Sequence, residues 1–139
     1  MPRHLQLRLR MKLPNDARSV PLARGIVRCA LGSLDVTDDC TDDLVLAVSE
    51  ACTNVLDHVV ADDYEVLAGI EGSQCVLEVT DKGAPVPLPH RGGGFPDLQA
   101  ETGRGIAIIE ALVDSVEFAP RADAGLVVRM RKELIYRAA

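Results

Sequence analysis

Tryptophan is absent from the 139-residue chain, and two tyrosines with two phenylalanines complete its aromatic content. Cationic charge is also short, with 15 Lys+Arg against 21 Asp+Glu for a net charge of −6. The chain therefore lacks both the positive field that draws in phosphate backbones and the stacking platforms that hold single strands, which argues against direct contact with nucleic acid. No uncharged apolar run reaches the roughly 18 residues of a membrane span. Met1-Pro2-Arg3-His4 leads into alternating Leu and Arg, not into an apolar secretion segment, so a cytoplasmic protein with no membrane partner is expected. Cys29, Cys40, Cys52 and Cys75 are too widely spaced for a CxxC pair or a zinc knuckle, and read as reduced thiols filling the core. His4, His58 and His90 have no metal-ligand spacing, and no GxSxG nucleophile elbow occurs. Asp35-x-Thr37-x-Asp39 begins like a calcium loop, but Cys40 stands where glycine is required and Leu46 where the bidentate Glu belongs.

What is present is an ordinary globular composition, 47% hydrophobic and 26% charged, of a length that predicts one domain over 1–139. Leu5, Leu7, Leu9, Met11 and Leu13 alternate with polar residues and predict a strand with one apolar face. Pro14-Asn15-Asp16 breaks it and offers a capping side chain. Val20, Ala23, Ile26, Val27, Ala30 and Leu31 then recur at helical spacing, up to a stop at Gly32. The acidic stretch from Asp35 to Asp43, with Thr37 and Thr41 as candidate caps, starts a second helix running to about Val60. Tyr64 to Glu71 and Cys75 to Thr80 read as a hairpin turned at Gly72-Ser73. The glycines and prolines between Gly83 and Pro96 predict a long loop over Asp81 to Ala100. Gly103-Arg104-Gly105 opens a third helix through Leu112, followed by strands at Ser115 to Phe118 and Leu126 to Met130. The order β-α-α-β-β-loop-α-β-β implies an α+β fold, a two-layer sandwich of a mixed, mostly antiparallel sheet with helices on one face.

Three polar constellations stand out. Asp43, Glu50, Asn54 and Asp57 fall on one line of the second helix, so Glu50 and Asn54 stack about one turn apart. Such a pair suits a proton-accepting carboxylate beside an amide oxygen that can ligate Mg²⁺, and equally a solvated face. Asp81-Lys82-Gly83 follows a strand, where Asp can accept hydrogen bonds from a base or simply cap a turn. Thr102-Gly103-Arg104-Gly105 places two glycines before an apolar segment, a geometry that attracts phosphate or merely starts a helix. It is neither the dinucleotide fingerprint nor a Walker A loop, since Ile108 holds the third glycine position and GK[ST] is missing.

Taken together and in this order, the segments carry a resemblance. Val48-Ser49-Glu50-Ala51-Cys52-Thr53-Asn54-Val55-Leu56-Asp57-His58 resembles the N box of the GHKL (histidine kinase-like) ATPase superfamily, and within it the anti-sigma serine-protein kinases. Val79 to Gly83 is similar to the G1 box and Thr102 to Ile109 to the G2 box, so the resemblance spans essentially the whole chain. It implies the Bergerat fold and an ATP- and Mg²⁺-dependent kinase of a bacterial stress-response switch. It implies Glu50 as general base, Asn54 as Mg²⁺ ligand, and His58 beside them in the nucleotide site. It implies Asp81 on the adenine amino group, Gly83 lining the base pocket, and Thr102, Gly103, Arg104, Gly105 and Ile106 around the phosphates at the helix start. Gly92 to Gly94 would belong to the lid. The implied partners are a sigma factor and a STAS-domain anti-anti-sigma protein whose serine is phosphorylated, with a homodimer as a further expectation. Pro85 and Gly125-Leu126 depart from the pattern, which carries glycine at the first and glycine-threonine at the second. The alternative reading is therefore a non-catalytic partner-switching module on the same fold. The catalytic half of a histidine kinase is the third, set back because the chain opens on its own strand without a phospho-acceptor helix pair.

Overall fold

The Leu/Arg alternation near the N-terminus builds the edge strand of a five-stranded sheet in a computed structural model that describes residues 6–58, 61–81, 99–120 and 125–138. Strand β1 (Gln6–Pro14) turns its leucines and Met11 toward the helices, and burial is complete only at Met11 and Leu13. Helices α1 (Ser19–Ser33) and α2 (Asp38–His58) follow, then the hairpin β2 (Asp63–Glu71) and β3 (Gln74–Asp81). Helix α3 (Gln99–Leu112) leads to β4 (Ser115–Pro120) and β5 (Leu126–Glu133). The element order matches expectation. The sheet order is β1-β2-β3-β5-β4, and every pairing among the described residues is antiparallel, so the sheet is not mixed.

Period-two burial gives the sheet two unlike faces. Tyr64, Val66, Ala68 and Ile70 of β2, Cys75, Leu77 and Val79 of β3, and Leu126, Val128 and Met130 of β5 lie in register on the buried face. Ala23, Val27 and Leu31 of α1 and Leu44, Ala47, Val48, Ala51 and Val55 of α2 pack onto them. Helix α2 lies between α1 and α3 and over β3. The opposite face carries cross-strand ion pairs, Arg10 with Glu65, Lys12 with Asp63, Arg129 with Glu78 and Arg131 with Glu117. Exposed pairs of this kind contribute at most about 1 kcal/mol each.

Several local expectations are corrected. Asp16 does not cap α1 in the usual way: its carboxylate accepts the Arg18 N–H and pairs with the Arg18 guanidinium, which holds it well below the ordinary carboxylate range, at about 2. Helix α1 also continues past Gly32 to Ser33. Thr37 does cap α2, accepting the Cys40 N–H, whereas Thr41 lies inside the helix with a buried hydroxyl that has no hydrogen-bond partner among the described residues. Helix α3 begins at Gln99, four residues before Gly103. Cys40, Cys52 and Cys75 are core thiols as read, but Cys29 is exposed. Lys82 to Leu98, which include Gly83, Pro85 and Gly92 to Gly94, lie outside the described residues, as do Val59 and Val60, to which the second helix is expected to run.

No described helix is long and apolar enough to cross a membrane. The last strand is followed by a tail that pins the α1–α2 corner. Thr37 N–H donates to Ile135 O, Arg137 N–H to Asp35 O, and the Arg137 guanidinium pairs with Asp38. Asp35 takes the left-handed backbone, φ 62°, at that corner, a conformation Asp tolerates better than most residues.

Candidate functional site

The acidic first turn of α2 and its wide apolar face fix which residues are left to point elsewhere. Burial of Val48, Ala51, Cys52 and Val55 turns Glu50 and Asn54, at i and i+4, away from the core as a half-buried pair. Helix α3 packs beside them, with Gly105 facing the pair. A Cβ built on Gly105 would lie 3.1 Å from Asn54 Oδ1, 3.4 Å from Asn54 Nδ2 and 3.5 Å from Glu50 Oε2. A side chain at this position would be tight, and the Asn54 amide would have to give by a few tenths of an ångström to admit even a methyl group. Two segments about fifty positions apart in sequence thus meet, one bringing a carboxylate and an amide, the other bringing bare backbone.

Asp81 closes β3. It is 3% exposed, on the helix-facing side of the sheet, in the row Leu13, Tyr64, Asp81, Leu126 that runs from β1 through β2 and β3 to β5. A carboxylate there sits at the sheet's end below α2 and makes interactions of its own. Its neighbour Leu126 is the residue that replaces threonine in the pattern, so the departure is adjacent to Asp81 and supplies no hydroxyl.

The remaining residues are placed as follows. Ile106 is half-buried on α3. Thr102, Gly103 and Arg104 lie on α3 and His58 at the end of α2, and their side chains fall outside the described residues. Because α3 spans Gln99–Leu112, Gly103 and Gly105 lie inside the helix, at least one turn from its start. The expectation that the two glycines open the helix is corrected accordingly. No cluster of three or more His, Cys, Asp or Glu that could hold a metal gathers among the described residues. A cation here would be shared between one or two protein oxygens and a ligand, the ordinary arrangement for Mg²⁺ on phosphates.

One grouping escaped the sequence reading. Ser19 Oγ at the start of α1 lies 2.6 Å from the Tyr64 phenol oxygen, a buried hydrogen bond between α1 and β2. Burial raises the Tyr64 phenol and pushes the nearby Cys52 thiol up to about 12, so both are neutral across the physiological range. The available signal was a tyrosine at a core-facing position, where its hydroxyl needs a partner.

A buried carboxylate at a strand end, a carboxylate–amide pair on one helix and a glycine contact from the next lie over a five-stranded antiparallel sheet in an α+β sandwich. The chain belongs to the family of the histidine kinase-like ATPase domain, whose pattern matches residues 13–132. It is 28% identical over 138 residues to the serine-protein kinase RsbW of Bacillus velezensis, covering 91% of this chain and 85% of that protein. RsbW of Bacillus thuringiensis strain Al Hakam is 26% identical over 136 residues, covering 90% and 84%. In three dimensions the chain is similar to a Mycobacterium tuberculosis protein containing RsbU and RsbW domains, with a TM-score of 0.71 and 22% identity over 96% of this chain and 34% of that one. A blue-light activated histidine kinase domain of Erythrobacter litoralis follows, with a TM-score of 0.54 and 19% identity over 83% and 61%. These two likenesses show the fold.

Proposed function

We propose that the protein is an ATP- and Mg²⁺-dependent serine-protein kinase that sequesters a sigma factor and phosphorylates a STAS-domain anti-anti-sigma antagonist. The observation that carries this reading is the seating of Gly105 against Asn54 and Glu50. It sets the Asn54 amide and the Glu50 carboxylate, oxygens of the hardness Mg²⁺ prefers, against bare backbone of α3, with Asp81 buried at the end of β3. The relatives named serine-protein kinase RsbW support the same class.

Within the reading, Asn54 Oδ1 would hold Mg²⁺, which when bound supplies charge neutralisation on the phosphates. Asp81 accepts a hydrogen bond from the adenine amino group, and Gly83 lines the base. Thr102, Gly103, Arg104 and Ile106 flank the phosphates, Arg104 adding positive charge. Gly105 contributes space. His58, one turn beyond Asn54, borders the nucleotide. Glu50 would take the proton from the substrate serine hydroxyl as its oxygen attacks the γ-phosphate of ATP and ADP departs, a task of position more than of covalent chemistry. Replacement of Glu50 by Gln is expected to lower phosphotransfer to a STAS substrate by about 10²–10⁴-fold while sparing ATP binding. Unchanged transfer would remove Glu50 from the chemistry.

A second reading rests on Leu126 beside Asp81. With no hydroxyl at that position, the same surface serves as a partner-binding module without turnover. Retained binding of the sigma factor together with no transfer to any STAS protein would favour it.

A further inference from the structure

Lysine is out of place in the row that Lys132 occupies. The helix-facing residues of β5 are Leu126, Val128 and Met130, and the same alternation brings Lys132 to that side, opposite the buried Cys75 of β3. A mostly buried ammonium needs partners, and this one has them on two helices. Nζ donates to the carbonyl of Leu112, the last residue of α3, at 2.8 Å, and lies 3.5 Å from Asp43 Oδ2 of α2. The end of a helix leaves such carbonyls without an intrahelical partner, and its dipole favours a cation there. The corner that follows α3 is fixed to the same strand separately: Asp114 N–H donates to Arg131 O, and Asp114 Oδ2 accepts from the Glu133 N–H. What the ammonium adds is a tie from α3 to α2.

That tie reaches the candidate site through spacing. Gly105 precedes Leu112 by seven residues and Glu50 follows Asp43 by seven, two turns or about 10 Å on each helix. The helices run antiparallel, so Lys132 joins them at one end of this interval and Gly105 meets Glu50 and Asn54 at the other. We infer that Lys132 is a positioning residue for the nucleotide site: its ammonium, bridging Leu112 O of α3 and Asp43 of α2, sets how far along α2 the helix α3 lies, and so how Gly105 meets Asn54 and Glu50. This rests on the nucleotide reading above. Apolar packing between two helices is not directional and tolerates sliding, whereas a hydrogen bond to a particular carbonyl does not. Helix α3 packs chiefly on α2, and a slide of a fraction of an ångström at Gly105 alters the backbone against which the amide and the carboxylate are set, which a ligand held there senses.

The test compares Lys132→Met, Asp43→Asn, the double variant and the control Val27→Ala by calorimetric titration with Mg²⁺-ATP and by thermal melting. Val27 is buried in α1, on the other side of α2 from α3. Lys132→Met is expected to weaken Mg²⁺-ATP binding about tenfold and Asp43→Asn, which removes only a charge, about threefold. The double variant is expected to bind no more weakly than Lys132→Met alone, because both residues act through one tie. Val27→Ala, at a comparable loss of melting temperature, is expected to stay within about twofold of the parent. Parent-like binding by Lys132→Met, additive weakening in the double variant, or equal weakening by Val27→Ala would overturn the inference. Should Lys132→Met not fold, Asp43→Asn carries the test, and parent-like affinity in it overturns the inference. Hydrogen exchange on the nucleotide-free proteins decides the matter independently. Faster exchange at residues 50–54 in Lys132→Met than in Val27→Ala supports the inference, and equal exchange overturns it. Should the parent protein bind no Mg²⁺-ATP, it is the kinase reading that fails, and the exchange comparison still tests the role of Lys132.

Discussion

At Gly105 an added methyl group would meet Asn54 Oδ1 at 3.1 Å and Glu50 Oε2 at 3.5 Å. In a helix interior, Gly to Ala ordinarily gains about 1 kcal/mol from propensity. Gly105→Ala is therefore expected to leave the melting temperature within a few degrees of the parent while lowering Mg²⁺-ATP affinity at least about tenfold, because the amide must move. The separation of the two effects is the signature of a glycine kept for space, and calorimetry beside a thermal melt reads both. The thiols make a second test. Burial raises Cys52 and Cys75 from an ordinary 9.0 to about 12. A group whose folded pKa is raised stabilises the fold fully below its unfolded value, so their contribution is present below pH 9 and is lost as pH rises from 9 toward 12. Denaturant melts should show stability falling across that window. At neutral pH a thiol reagent should titrate one cysteine, Cys29, in the native state and four after unfolding. The polar line of Glu50 and Asn54 was legible because helical spacing alone stacks i and i+4. The exposure of Cys29 was not, since a cysteine's preference for the core says nothing about which face of α1 it occupies.

Elements were legible wherever apolar period and punctuation agreed. The strand alternation in β1, the hairpin at Gly72-Ser73 and the cap at Thr37 all follow from local chemistry. Gly72 takes the positive φ of 62° that a tight turn needs. The start of α3 was missed because glycines were read as a helix opening, when in the fold Gly103 and Gly105 lie inside the helix. Tertiary packing on α2 outweighs their poor propensity. The end of α3 has a device the sequence conceals. Lys132 on β5 donates from Nζ to Leu112 O at 2.8 Å and lies 3.5 Å from Asp43 Oδ2 of α2, capping one helix while pairing with the other. Only 16% of its side chain is exposed. Lys132→Met keeps the stem and removes the ammonium, and is expected to cost about 1–2 kcal/mol, read as a fall in the denaturation midpoint. A midpoint unchanged from the parent would show that the ammonium contributes nothing to holding α3.

For the whole molecule, the sandwich and its element order could be read from sequence, but the assembly of the site could not. Nothing in the spacing of Asn54 and Gly105 says that their atoms touch, or that Leu126 falls next to Asp81; both follow from strand register and from α3 packing beside α2. The resemblance to the histidine kinase-like ATPases bridged that gap by naming which segments meet. The account requires a nucleotide held between the α2 pair and the end of β3. Its most direct test is titration of ATP into the purified protein with and without Mg²⁺, repeated on Asp81→Asn. The account predicts binding that strengthens with Mg²⁺ and weakens about tenfold or more in Asp81→Asn, a change that removes the charge from a buried acceptor. Absence of binding under both conditions, or binding indifferent to both Mg²⁺ and Asp81, would contradict it.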